Sequence, residues 1–225
     1  MQTYAEVNGI ITSTTPQPQP TDESTATPRN IPLHCQFNVT QPLQQQLTTT
    51  FDLHYDLPNI AFHPFTQQAL RLTQGATSSP IATHVYTDAS VCHTTNKAGW
   101  AMTVIDEDHD TFYYKGYQGG TIQDSVAMPT DDLTSTQAEL VAILWAAIYH
   151  HQHNDGQQLH IHTDSLSSIQ MLNNMANTTD PLANTIIALY WQLATTTSIT
   201  LHHTKAHVGM PWNECADVMA KWFSF

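Results

Sequence analysis

The rhythm of hydrophobic and polar positions changes near Pro80. Downstream of it, segments with the two-residue period of half-buried strands are interleaved with segments of helical period. Ile81–Asp88 is rich in β-formers and runs into the turn residues Thr87-Asp88-Ala89-Ser90. Ala98–Ile105 and Thr111–Tyr117 predict two more strands, separated by the acidic run Asp106–Asp110, which reads as a solvated turn. These three strands should form an antiparallel meander. Ser135–His151 predicts the clearest helix, with Leu140, Ile143, Leu144, Ala147 and Ile148 on one stripe and Thr134 or Ser135 as its cap. Gln158–Thr163 predicts a fourth strand and Ser165–Met175 a helix. Pro181 opens another helix, with Leu182, Ile186, Leu189 and Leu193 on one face. Ser198–Thr204 predicts a fifth strand and Asn213–Phe223 the last helix. This order predicts an α/β fold, a mixed five-stranded sheet with helices on both faces.

Upstream of Pro80 the pattern is different. Residues 1–30 are rich in Thr, Pro and Gln, with the run Pro-Gln-Pro-Gln-Pro at 16–20. Such a stretch buries too little apolar surface to offset its ordering entropy and is expected to be flexible. Residues 31–79 carry scattered apolar and aromatic side chains without a clean period. They read as a partly ordered arm or linker, leaving 80–225 as the domain.

Composition narrows the class. No apolar run approaches the roughly 18–20 residues of a membrane span, and the N-terminus lacks the basic and apolar regions of an export signal. Cys35, Cys92 and Cys215 are odd in number and widely spaced, which gives neither a disulfide framework nor a zinc knuckle. An intracellular, reducing compartment (cytoplasm or nucleus) is expected. Six Lys and Arg against 19 Asp and Glu give a net charge of −13. From Ile81 onward the only basic residues are Lys97, Lys115, Lys205 and Lys221, a poor supply for binding a polyanion.

Four acids stand out by position. Asp88 ends the first predicted strand and Asp164 ends the fourth, while Glu139 and Asp217 lie early in two helices. Sites in open α/β sheets form beyond the carboxyl ends of adjacent strands. Four carboxylates crowded there repel one another unless cations sit among them, and Mg²⁺ or Mn²⁺ suits an all-oxygen donor set. His207 sits in a Gly-Pro loop ten residues before Asp217, placed to share that space.

Tyr-Thr-Asp88-Ala-Ser, Ser-Thr-Gln-Ala-Glu139-Leu, His-Thr-Asp164-Ser and Ala-His207-Val-Gly…Asn213-Glu…Ala-Asp217 together resemble the signature of the type 1 ribonuclease H family, over roughly residues 80–223. The last motif is similar to the ribonuclease H domains of non-LTR (LINE-type) retroelements. The resemblance implies an endonuclease that cuts the RNA strand of an RNA–DNA hybrid and leaves 5′-phosphate ends, with two Mg²⁺ ions about 4 Å apart (or Mn²⁺). It implies that Asp88 bridges both ions. Glu139 and Asp164 would complete one side, with Glu139 near the ribose 2′-hydroxyl, and Asp217 would hold the other ion. His207 would assist proton transfer or product release. Thr134, Ser135 and Thr136 match substrate-backbone positions of the family, with Asn96 and Asn213 as further candidates. A basic protrusion found in family members that work alone is missing: Asn173–Thr200 contains no Lys or Arg. That absence implies a reverse transcriptase or other partner that supplies substrate affinity, and weak, strongly salt-sensitive hybrid binding by the isolated chain.

Other features read more plainly. His160 and His162 are expected to be ordinary strand residues, and His150, His151 and His153 to favour the negative pole of their helix. Trp145 and Trp191 are expected in the core, and Trp212 either in the core or beside the active loop. The competing functional classes are an inactive interaction module of the same fold and a related transposase or junction resolvase.

Overall fold

The computed structural model describes residues 52–56, 60, 62–77, 79–126, 132–153, 157–206 and 209–225. The Pro-Gln-rich segment and His207 therefore lie outside the described residues. The elements run α1 (Pro64–Leu72), β1 (Ala82–Cys92), β2 (Lys97–Asp108), β3 (Thr111–Thr121), α2 (Ile122–Ser125), α3 (Ser135–His153), β4 (Gln158–Thr163), α4 (Leu166–Leu172), α5 (Pro181–Ala194), β5 (Ile199–His203) and α6 (Pro211–Phe223).

The sheet has the order β3-β2-β1-β4-β5. The first three strands pair antiparallel, and β4 pairs parallel with both β1 and β5, the mixed arrangement that the pattern predicts. Strands have two faces because side chains alternate, and each face here has its own core. Val85, Trp100, Met102, Leu159 and Ile161 pack under α3 and α5. Tyr86, Ala101, Ile105, Tyr114 and Tyr117 pack with Trp212, Cys215, Met219 and Ala220 of α6. Trp145 joins the first core, its ring stacked on Trp100 at 5.2 Å and 8°. Trp212 belongs to the second.

Several local expectations fail for identifiable reasons. β1 continues to Cys92 because the antiparallel hairpin with β2 carries on past the end of the parallel pairing, so Asp88 is an interior strand residue opposite Ala101. The supposed solvated turn is shorter, since Asp106, Glu107 and Asp108 belong to β2. Asp106 is buried, accepts a hydrogen bond from the Thr83 hydroxyl at 3.2 Å and pairs with Lys115 Nζ at 2.9 Å. His150 is also buried, with its Nε2 3.1 Å from the Gln157 carbonyl oxygen. Burial holds its proton affinity below the imidazole norm, so it remains neutral and adds no charge at the helix end. Trp191 is 42% exposed on α5 rather than in the core.

The arm upstream of the sheet supplies α1, which has Pro64 at its first position and Leu70 fully buried. His54 bridges to Tyr117 of β3, and the Tyr114 N–H donates to the Thr73 carbonyl at 2.8 Å. Gly116, at φ 146°, makes this approach possible: a Cβ there would meet the His54 carbonyl oxygen at 2.8 Å.

Candidate metal-binding active site

The parallel register puts two of the predicted acids side by side. β1 and β4 pair up to Tyr86 and His162, and two residues further along the same strand face come Asp88 and Asp164. The chain leaves β4 at Thr163, and Ser165 caps α4 by accepting a hydrogen bond from the Ser168 N–H. That sharp exit leaves Asp164 at the sheet's end.

Glu139 arrives from the opposite layer. Thr134 and Gln137 form a capping box: the Gln137 N–H donates to the Thr134 hydroxyl at 3.2 Å, and the Thr134 N–H donates to Gln137 Oε1 at 2.6 Å. Gln137 Nε2 also donates to Asp180 Oδ2 at 2.8 Å, and Asp180 caps α5, so the start of α3 is fixed to its neighbour. Glu139 then points into the sheet's end. The Ala89 N–H donates to its Oε1 at 3.1 Å and the Thr163 hydroxyl donates to its Oε2 at 3.4 Å.

Carboxylate oxygens of Asp88, Glu139 and Asp164 lie within 4.8 Å of one another. Asp88 and Glu139 are 6% and 7% exposed, so water screens little of their repulsion. Burial first, then Glu139, Asp217 and Asp164, pushes the proton affinity of Asp88 far above the usual carboxylate range. Burial first, then Asp164, raises Glu139 as well. Asp217 lies outside the 4.8 Å group yet near enough to raise both. Lys221, one turn further along α6, pairs with Asp217. A donor set made only of carboxylate oxygens, in a place where negative charge is costly without a counterion, fits a hard divalent cation.

The remaining sequence candidates fall in different places. Thr134 and Ser135 are exposed at the start of α3, and Thr136 Oγ1 lies 3.3 Å from Ser167 Oγ of α4. These side chains make a polar rim at the start of α3 and α4. Asn96 adopts φ 53° in the β1–β2 turn, a conformation asparagine tolerates, and its carbonyl accepts from Gln123 Nε2 at 3.3 Å. Asn213 is buried in the first turn of α6, and among the described residues its Oδ1 has no hydrogen-bond donor. Sequence reasoning missed Thr163, which steadies Glu139, and Lys221. The spacing of Lys221, four residues beyond Asp217 on a helix, was the available signal for the second.

The family model for RNase H matches residues 80–224. No curated protein sequence matches the chain. Among solved structures, RNase H1 from the halophilic archaeon Halobacterium salinarum NRC-1 superposes with a TM-score of 0.51 at 19% identity, covering 63% of this chain and 96% of that one. The N-terminal RNase H domain of rv2228c from Mycobacterium tuberculosis, solved as a fusion with maltose-binding protein, gives 0.50 at 14% identity, covering 64% and 94%. Among the described residues, no helix is long and apolar enough to cross a membrane.

Proposed function

Because the chain belongs to the ribonuclease H family, we propose that it hydrolyses the RNA strand of RNA–DNA hybrids at the pocket formed by Asp88, Glu139, Asp164 and Asp217. The observation that carries this reading is the convergence of three carboxylates from β1, α3 and the end of β4 to within 4.8 Å. Two bound Mg²⁺ ions, or Mn²⁺, would activate water and offset the charge that develops on the phosphate and the leaving 3′ oxygen. Asp88, Glu139 and Asp164, with Asp217 beside them, would hold the ions. The Ala89 N–H and the Thr163 hydroxyl hold the Glu139 carboxylate in one orientation, so little reorganisation is needed when substrate arrives. His207, ten residues before Asp217 in the sequence, is proposed to move a proton or help release product.

Discrimination for RNA follows from the 2′-hydroxyl, which only RNA presents. Thr134, Ser135 and Thr136 are the proposed backbone contacts, with Asn96 and Asn213 as secondary ones.

With a net charge of −13, the chain has little with which to hold a polyanion. We therefore assign residues 80–225 the role of a retroelement-type domain associated with a reverse transcriptase or another protein that supplies substrate affinity. The odd number and wide spacing of Cys35, Cys92 and Cys215 in the sequence are the basis for proposing a reducing intracellular compartment. The test is cleavage of a labelled hybrid with Mg²⁺ or Mn²⁺, using Asp88→Asn as control and duplex DNA as comparison. Absence of cutting by the unaltered chain, or cutting that survives Asp88→Asn, would refute the proposal.

A further inference from the structure

A second cluster of potential metal ligands lies on the sheet face that α6 shares, further back along the same strands that lead to Asp88 and Asp164. His84 of β1, His160 and His162 of β4 and His202 of β5 all project from this face, because His84 pairs in register with His160, and His162 with His202. The four rings pack as a block: centroids are 4.7 Å apart for His84 and His160, 5.3 Å for His84 and His162, 4.8 Å for His162 and His202, and 5.1 Å for His160 and His202. Within the block two nitrogen pairs are in close contact. His84 Nδ1 is 3.0 Å from His162 Nε2, and His160 Nδ1 is 2.8 Å from His202 Nε2.

The hydrogen bonding around His84 is what a metal ligand requires. Its other nitrogen, Nε2, is 2.8 Å from Glu107 Oε2. An ionised carboxylate can only accept there, so Nε2 carries the proton, and in the neutral ring Nδ1 accepts a hydrogen bond from His162 Nε2–H, a contact that an ion binding both nitrogens would replace once His162 shifts its proton to Nδ1. Metal-bound histidines typically donate their remaining N–H to a carboxylate in this way, which fixes the tautomer and raises ligand basicity. The spacing also fits. Two nitrogens bound at about 2.0–2.1 Å to one ion stand about 2.9 Å apart at a right angle and about 3.4 Å apart at the tetrahedral angle. Burial first, then neighbouring rings, holds His160 and His202 below the ordinary imidazole value, which keeps both neutral and able to donate lone pairs at pH 7. All four rings are only partly buried, so an ion can reach them from solvent.

We propose that this block binds one late first-row divalent ion such as Zn²⁺, Ni²⁺ or Cu²⁺, with the His84–His162 pair as its protein ligands and Glu107 orienting His84. Imidazole nitrogens favour these ions, whereas the all-oxygen cluster at Asp88 favours Mg²⁺ or Mn²⁺, so the two sites sort metals by donor chemistry. An ion held here ties β1 to β4, the strands that lead to Asp88 and Asp164.

The test is calorimetric titration of the metal-stripped full chain with Zn²⁺, alongside Cu²⁺ electron paramagnetic resonance. In the full chain with Asp88, Glu139, Asp164 and Asp217 all replaced by their amides, which silences the carboxylate site, one ion per chain should still bind. Replacing His84 and His162 by Ala should abolish it, and Glu107→Gln should weaken it about tenfold. His63→Ala and His93→Ala, at exposed histidines outside the block, should leave it unchanged. The Cu²⁺ spectrum should show coupling to at least two imidazole nitrogens. Should the double His variant misfold, Glu107→Gln and the Cu²⁺ spectrum of the chain carrying the four amides decide the matter. Binding that disappears with the four amides, that Glu107→Gln leaves untouched, or that gives an oxygen-only Cu²⁺ spectrum would overturn the proposal.

Discussion

The Lys221 ammonium lies 2.7 Å from each carboxylate oxygen of Asp217, one turn away on α6. In a chain with six basic residues, one of them thus neutralises an acid at the edge of the carboxylate cluster. The same charge eases the ionisation of Asp88, opposing part of the repulsion from its neighbours. A divalent ion at Asp217 must compete with this ammonium. Lys221 is about half exposed, so the competition is worth only what an exposed i,i+4 pair is worth, about 0.3–0.5 kcal/mol. Lys221→Met should therefore lower the Mg²⁺ concentration for half-maximal hybrid cleavage about twofold. A Mg²⁺ titration of the cleavage rate checks this, and an unchanged or raised requirement would count against competition.

Asp88 is kept in place at a cost to the fold. Its carboxylate is buried against Glu139 and Asp164 with nothing of opposite charge in the 4.8 Å group. Without divalent ions, Asp88→Asn removes a repulsive partner and keeps the shape. It should raise stability by about 0.5–2 kcal/mol while abolishing cleavage. Urea unfolding in EDTA provides the measurement, and a destabilised Asp88→Asn would show that the repulsion is relieved in another way.

The same acids predict how stability depends on pH. Asp88 and Glu139 bind their protons more tightly folded than unfolded. Their contribution is fully present below the unfolded carboxylate value of about 4, and it is lost as pH rises through their raised folded values. His150, His160, His162 and His202 are shifted the opposite way, mainly by burial, and their contribution grows with pH until about 6.5, beyond which it is constant. Above about pH 7 the carboxylates therefore act alone in this respect. Metal-free stability should fall between about pH 7 and about pH 9, and saturating Mg²⁺ should flatten the fall. Urea midpoints across that window test it; a metal-free midpoint that rises with pH would contradict the sign.

Gly99 couples the sheet to α6. A Cβ at this position of β2 would meet the Ala220 carbonyl oxygen at 2.3 Å and the Ser224 N–H nitrogen at 2.7 Å, all backbone atoms that no rotamer change can move. Gly99→Ala should push the end of α6 off the sheet at about 1–3 kcal/mol and displace Asp217 with it. Thermal unfolding and the Mg²⁺ requirement for cleavage should both worsen. A variant with a lowered Tm but an unchanged Mg²⁺ requirement would show that Asp217 does not depend on this contact.

The elements legible in the sequence were those whose own residues carry the signal. The stripe through Leu140, Ile143 and Ile148 marked α3, and alternation marked the strands. Asp88, Glu139 and Asp164 were legible because each sits in a short motif, although only Asp164 stands at an element boundary, just past β4. What escaped depends on partners far along the chain. α1 has helical periodicity over only nine residues, set among scattered apolar residues that hid it, and Leu70 is buried against the core that α6 and β3 build. Asp106 looked like a surface acid until Thr83 and Lys115 came to it across the sheet. His84 and His162 are 78 residues apart, and only the parallel register of β1 with β4 joins them.

The charge balance leads to the last prediction. Hybrid affinity comes mainly from neutralised phosphates, and each one lost removes nearly one unit from the slope of log K against log salt. The described residues between α4 and β5 form one helix, α5, and the sequence from Asn173 to Thr200 has no Lys or Arg to line a substrate groove. The isolated chain should therefore bind a hybrid no better than the non-specific range of about 10⁻⁶ to 10⁻⁴ M at physiological salt, and more weakly still as salt is raised. Mg²⁺ (or Ca²⁺, to hold the complex without turnover) should tighten binding by shielding the Asp88 cluster. Attaching a basic hybrid-binding module should lower KM much more than it changes kcat, since the module adds affinity and leaves the reacting groups alone. Fluorescence anisotropy between about 50 and 200 mM salt, with steady-state kinetics of the fusion, tests both points. Nanomolar binding by the chain alone at physiological salt would mean that a phosphate-binding surface exists elsewhere on this protein.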